Sequence, residues 1–430
     1  MKESVTKQKK KILWPIVAAV LLIAVVIIFL CVKGKQGKSG GDEISTEVSQ
    51  NMKPVTNVLL ADNKQLKVTA LKTSVDSSYF TLTLSVENKG QADIYLEHSV
   101  FYLNGVYCEA DAGTLVSAGE TYILDLNWDR SEMESHGIDP EAVTLIEGRL
   151  SGRYQDNSGE LDACQITYYP YGEEYATILT YTPIETDIVV VDTEDYFVAV
   201  RGDYHDEETG TWNLKLICVN NSDEEKVFRT VDDCVNNYRM NGGGSQTIRS
   251  GRMAYWEADY GEMQWRTTGY DRVLSYSAKI EIYGWDSVGD APKYPFEYYP
   301  EGTEGAAVIS KRQVAEEDIL LENESIRVAY LGAQQYRNTK ADLIYLCNLT
   351  DEYQEIQLKL AYGDEQEDNT GYDTKYLEPG QEAIYLAYRS TSVGSTGIPA
   401  NLWVGICDLE YGNFSFYTDN GIDFTVWDPE

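Results

Sequence analysis

The sequence predicts an all-β protein: three tandem antiparallel β-sandwich domains behind one N-terminal transmembrane helix. Three observations predict it. A run of 21 uncharged residues lies between Lys11 and Lys33. After it, five landmarks recur in the same order about every 130 residues. Within each recurrence, apolar and polar residues alternate at period two between clusters of turn residues.

The uncharged run, "ILWPIVAAVLLIAVVIIFLCV", spans roughly 31 Å as a helix, about one hydrocarbon core. Trp14 sits where an interfacial ring is favoured, and Pro15 falls in the first turn, where a missing N–H costs little. The run ends "FLCVKGK" with no small-residue cleavage site, so a retained anchor is expected rather than a signal peptide. Five lysines precede the span and three follow it within six residues. That excess places the N-terminus in the cytoplasm and the remainder outside the cell membrane.

The landmarks define the repeat. A polar turn leads into a strand at "DNKQLKVTA", "DTEDYFVAV" and "ENESIRVAY", placing Val68, Val198 and Val328 at intervals of 130. Strands then end in "LSVENKG", "ICVNNSDEE" and "YLCNLTDEY". Turn glycines follow at Gly119, Gly251 and Gly380, and again at Gly137, Gly269 and Gly397. An aromatic-x-Pro ending closes each unit at Pro170, Pro300 and Pro429. Five registers with one period constitute an internal repeat, and its length suits domains in tandem rather than a solenoid. Each unit has room for seven or eight short strands, which suits a two-sheet sandwich of immunoglobulin type. "SKRQVAEEDILLE" (310–322) is a connector with a weak helical pattern.

The expected organisation is a cytoplasmic stub (1–11), the transmembrane helix (12–32), a flexible tether (33–55) and immunoglobulin-like repeats at 56–173, 186–303 and 318–430. Net charge is −35. Subtracting the eight lysines and one glutamate of residues 1–38 leaves 27 basic and 69 acidic residues, a net of −42. Such a surface repels phosphate backbones, so nucleic acid is excluded as a partner.

A Lys-rich N-terminus with one span, a Gly/Ser tether, "V-x-N" turns and the strand openers "SAGE" and "EPGQ" together resemble a known layout. It is that of single-pass membrane-anchored surface proteins of Gram-positive bacteria carrying tandem immunoglobulin-like domains of unassigned function. The resemblance covers nearly the whole chain. It implies an extracytoplasmic, non-enzymatic protein and supplies no catalytic residue.

The search for chemistry agrees with that. The three histidines, His98, His136 and His205, form no H-E-x-x-H pair. "GKSGG" (37–41) lies in the tether without the strand–turn–helix that a nucleophile elbow needs. No catalytic residue, metal centre or cofactor is assigned. Asp364, Asp368 and Asp373 are weak calcium candidates, because their spacing departs from that of an EF-hand. "RGD" at Arg201–Asp203 is expected between two strands, at a loop tip.

Aromatic residues near the domain ends, Tyr168, Tyr169, Tyr171, Tyr298, Tyr299, Trp256 and Trp265, are candidates for stacking on envelope polysaccharide or gripping a peptide. The competing reading is that they pack sheet faces and junctions. Of seven cysteines, Cys347 and Cys407 have a separation that suits a bridge across one sandwich. Cys218 aligns with Ser85, one place before Val86 and Cys347, so three equivalent disulfides are not expected. The expected function is a membrane-anchored binding or spacer protein. The alternative is a carbohydrate- or peptidoglycan-binding module built on the end aromatics.

Overall fold

In the computed structural model the described residues are 53–426, apart from 98, 111–112, 157–158, 162–163, 285–290, 338, 363–369, 389–397, 409–412 and 417–421. The expected stub and transmembrane run, with Asp364, Asp368, Gly397 and Pro429, therefore lie outside them. No helix of the described residues is long and apolar enough to cross a membrane.

The chain is all-β, and each repeat builds the same first sheet. In the first repeat the strands Val58–Asp62, Leu66–Val75, Tyr79–Asn88 and Thr121–Asp129 pair antiparallel in that order. Alternation buries one face: Leu66, Val68 and Ala70, then Leu82, Leu84 and Val86, then Leu124, Leu126 and Trp128. A second sheet, Ser99–Leu103, Ile146–Leu150 and Cys164–Tyr168, covers that face. Phe101 from the second sheet meets Trp128 of the first edge-on, with ring centroids 5.5 Å apart. The second repeat uses Ile188–Asp192, Tyr196–His205, Trp212–Asn220 and Arg252–Tyr260. The third uses Ile319–Glu322, Ile326–Tyr336, Thr339–Asn348 and Glu382–Tyr388. In all three repeats, the register shifts twice: once between the first two strands and once between the next two.

Polar side chains explain why the strands turn where they do. The expected opening turns are side-chain-capped at positions 130 apart. Asn63 Oδ1 accepts from the N–H of Gln65 and Leu66, Thr193 Oγ1 from Tyr196, and Asn323 Oδ1 from Ser325 and Ile326. The turn glycines Gly119, Gly251 and Gly380 have φ of 72°, 65° and 68°, which a Cβ would strain. Helices are short. Arg130–Ser135 is capped by Asp129, and Glu262–Arg266 follows Gly261. The 310–322 connector holds only a 3₁₀ turn, Glu316–Asp318, before the next strand.

Two compact units result. Of the described residues, one holds those up to 104 and within 109–179; the other holds 105–108 and those from Thr180 on. In the larger unit the second and third repeats share one continuous sheet. The two-residue strand Tyr238–Arg239 pairs with Lys226–Val235 on one side, and in parallel with Glu382–Ala383 of the third repeat on the other. The strand Thr339–Asn348 is consequently buried on both faces. Ile344 and Leu346 point into the third sandwich, whereas Leu343, Tyr345 and Cys347 join the core of the second repeat.

That placement corrects two expectations about cysteine. Pairing aligns Val86, Cys218 and Leu346, which face Val68, Val198 and Val328, so Cys218 sits one place from its expected alignment. Cys347 is a buried free thiol and forms no bridge to Cys407. Its side chain points away from the sandwich interior that the sheet carrying Cys407 covers.

Candidate functional site

Most end aromatics are structural. Tyr168, Trp256, Trp265 and Tyr298 are 1 %, 7 %, 2 % and 9 % exposed, so none offers a ring face to a ligand. Tyr168 donates its hydroxyl to the Val55 carbonyl and ties the start of the first repeat to its end; burial pushes its pKa up to about 12. Trp265 donates Nε1–H to the Gly210 carbonyl at 3.0 Å, and the Arg266 guanidinium lies 4.6 Å over its ring. Tyr169, Tyr171 and Tyr299 are half-buried, and the Tyr299 hydroxyl donates to Glu297.

The "RGD" triplet is not at a loop tip. It lies inside the strand Tyr196–His205, at a register shift where Gly202 has φ of 129°. Asp203 accepts from Tyr298 OH at 2.6 Å and from Trp212 Nε1 at 2.8 Å. Arg201 lies between the rings of Tyr181 and Tyr255, 5.8 and 5.6 Å from their centroids. Both charged side chains are spent within the fold.

Among the described residues no cluster of metal-ligating side chains occurs. Asp373, the described member of the calcium set, contacts Lys375 Nζ at 2.8 Å and accepts from Asn241 Nδ2 at 3.0 Å.

The seam between the second and third repeats carries the candidate site. Two adjoining cavities, of about 390 and 380 Å³, share Cys234, Ser277, Glu378 and Gln381 as lining. The strand Lys226–Val235 supplies one wall, with a register shift between Val231 and Cys234 that turns Asp232 and Cys234 towards it. The turn at Gly380 supplies the other. Asp232 is the electrostatic centre: it pairs with Arg239 and with Lys279 Nζ at 2.7 Å. Burial pushes its pKa up, but the two cations outweigh that and hold the carboxyl below its usual range. Lys279 also reaches Glu378 of the third repeat at 3.7 Å. Gln381 Nε2 lies 2.9 Å from Cys234 Sγ, and Lys311 Nζ donates to the Gly380 carbonyl at 3.1 Å. Tyr353 is stacked on Tyr376 with centroids 6.3 Å apart, both rings about two-fifths exposed. The Tyr353 hydroxyl is pushed up to about 12 by burial and by the Asp232 carboxylate.

A third cavity of about 320 Å³ lies within the second repeat, between Trp212, Trp265, Arg266, Asp271 and Arg272. Its charges are largely paired internally, Arg266 with Glu262 at 2.7 Å and Arg272 with Glu301 at 3.2 Å.

Residue-by-residue reading missed the buried asparagines that hold each repeat. Asn88, Asn220 and Asn348 are 1 %, 0 % and 0 % exposed, and each donates Nδ2 to a carbonyl four residues on and to another 28 or 29 residues on. Their signal was present: they are the Asn of each strand-ending turn, and share its period.

No family profile and no curated protein matches the chain. Among solved structures, the YadV chaperone is 10 % identical, with 54 % of this chain and 100 % of that chain covered, at a TM-score of 0.17. The BSP domain of a biofilm associated protein is 8 % identical over 90 % of this chain and 70 % of its own, at 0.15. A Salmonella alpha-2-macroglobulin mutant is 10 % identical over 88 % of this chain and 24 % of its own, at 0.13. At these scores the likeness carries no argument.

Proposed function

We propose that this chain is a non-enzymatic binding or spacer protein of the cell envelope. An N-terminal helix anchors it in the membrane, and three immunoglobulin-like sandwiches stand outside. It resembles the membrane-anchored surface proteins of Gram-positive bacteria in that layout. The strand order common to the repeats, two facing antiparallel sheets in each, supports the immunoglobulin-like reading. One observation carries the binding site: the paired cavities along the seam, lined by charges of both signs and by Phe296. The ligand is a protein segment or an envelope polymer that presents both polar and flat apolar groups.

The test compares retention of the full chain, in detergent, on isolated envelope fragments. Ser277→Trp fills the shared part of the groove, and Glu194→Trp places the same bulk on an exposed turn. Retention lost only with Ser277→Trp is expected. Equal retention of both variants, or none by the parent, refutes the reading. Purified wall polysaccharide in place of fragments tests the carbohydrate alternative, which the exposed Tyr353–Tyr376 pair favours over the buried end aromatics.

A further inference from the structure

The register shift between Val231 and Cys234 sends two neighbouring carboxylates opposite ways. Asp232, at φ of 62°, lines the groove, while Asp233 is 4 % exposed and enters the core of the second repeat. There Asp233 Oδ1, Tyr260 OH and Tyr276 OH form a triangle with sides of 2.5, 2.5 and 2.9 Å. Three contacts need three hydrogens, and the phenols bring two. A protonated carboxyl supplies the third. Burial raises both phenols well above their ordinary range, so the carboxyl is the member that titrates, and burial raises it too. The other groups facing it are Thr230 and Cys234 on its own strand and Arg239 on the seam strand, which Asp232 already pairs. The Trp212 ring packs on both phenol rings, 5.8 and 5.6 Å away, and brings no charge.

A thin cover lies against this triangle. In the loop Gly242–Gly244, Gly243 is buried between exposed neighbours, and Gly243 and Gly244 have φ of 88° and 69°. A Cβ on Gly243 would run into Thr230 Oγ1 and lie 2.9 Å from Asp233 Oδ1 and from Tyr260 OH. Bare backbone therefore covers the triangle on that side. The loop also continues the seam strand. Met240 N–H donates to the Asp233 carbonyl at 2.8 Å, directly after Tyr238–Arg239, which pairs with Glu382–Ala383 of the third repeat.

We propose that the triangle and the glycine loop form a proton-operated latch on the seam: the protonated carboxyl keeps the loop shut, and loss of that proton lifts the loop and loosens Tyr238–Arg239 from the third repeat. A charged Asp233 leaves one contact of the triangle without a hydrogen and calls for water. Lifting three glycines admits it without unpacking an aromatic ring. A raised acid stabilises the shut state fully at acid pH, and that contribution is lost as pH climbs through the folded value. The latch acts on the joint between two repeats and needs no ligand in the groove.

Hydrogen exchange of the full chain in detergent, read by mass spectrometry and corrected for intrinsic rates, tests this. Amides of residues 238–240 should be less protected than the strand Trp212–Asn220 at every pH. Their protection should fall roughly tenfold per pH unit above the ordinary carboxylate range, because each opening releases one proton. Asp233→Asn, uncharged throughout, removes that slope. Gly243→Ala wedges the loop and lowers protection at 238–240 at every pH, with native circular dichroism. Protection equal to that of Trp212–Asn220 throughout overturns the proposal, because the loop then opens only with the whole repeat. So does lower protection without a slope, or a slope that Asp233→Asn retains.

Discussion

Replacing Asn220 with alanine tests whether the repeated asparagine holds its sandwich together. The side chain is fully buried, donates to the carbonyls of Glu224 and Ile248 at 2.8 Å each, and accepts from Ser222 N–H at 3.1 Å and Ser222 OH at 2.6 Å. Each such bond contributes ~0.5–1.5 kcal/mol net, and the partners left behind are buried, so the loss is about 2–4 kcal/mol. For a unit of this size that lowers Tm by roughly 5–15 °C. Asn220→Asp should cost at least as much, because a carboxylate has no proton for the two carbonyls it would face. Scanning calorimetry of the full chain provides the assay. The transition of the larger unit should fall while that of the smaller holds, and Asn88→Ala should do the reverse. A cost under ~1 kcal/mol for Asn220→Ala, or native stability for Asn220→Asp, would refute the reasoning.

Three further outcomes are expected. Asp203→Glu breaks the clamp on Tyr298 and Trp212 and destabilises by about 1–3 kcal/mol, while adhesion of cells to the immobilised chain is unchanged; an adhesion loss without destabilisation would restore a recognition role to the triplet. Asp233 accepts from Tyr260 and Tyr276 at 2.5 Å each, and burial raises its carboxyl above the ordinary range despite those donors. A raised acid holds its proton more tightly when folded, so this contribution is full at acid pH and is lost as pH climbs through the folded value. Asp233→Asn should therefore flatten the fall of Tm as pH rises above the ordinary carboxylate range, and an unchanged slope would count against it. Burial pushes Cys234 to about 11 and Cys218 higher still, so both thiols should ignore a thiol reagent until the chain is denatured. Fast native labelling at either position would contradict that.

The repeat was legible because sheets impose local demands. Period-two alternation, glycine at positive φ and a polar cap at each strand opening all act within a few residues. Positions such as Asn63, Thr193 and Asn323 therefore show the period directly in the chain. The buried asparagines were half legible. Their spacing could be read, but a turn asparagine and a buried one look alike until the carbonyl 28 residues away is in place.

The sequence by itself determined the all-β class, the 130-residue period and where the strands open and close, since each depends on neighbours along the chain. Tertiary structure alone decided what the conspicuous residues do. The end aromatics became core, the "RGD" aspartate became a clamp on Tyr298, and Cys347 turned out to face the neighbouring repeat. It also brought Asn241 to Asp373 across 132 residues and set two repeats on one sheet through a two-residue strand. These are contacts between distant segments, set by how two faces meet, and no local pattern records which faces those are.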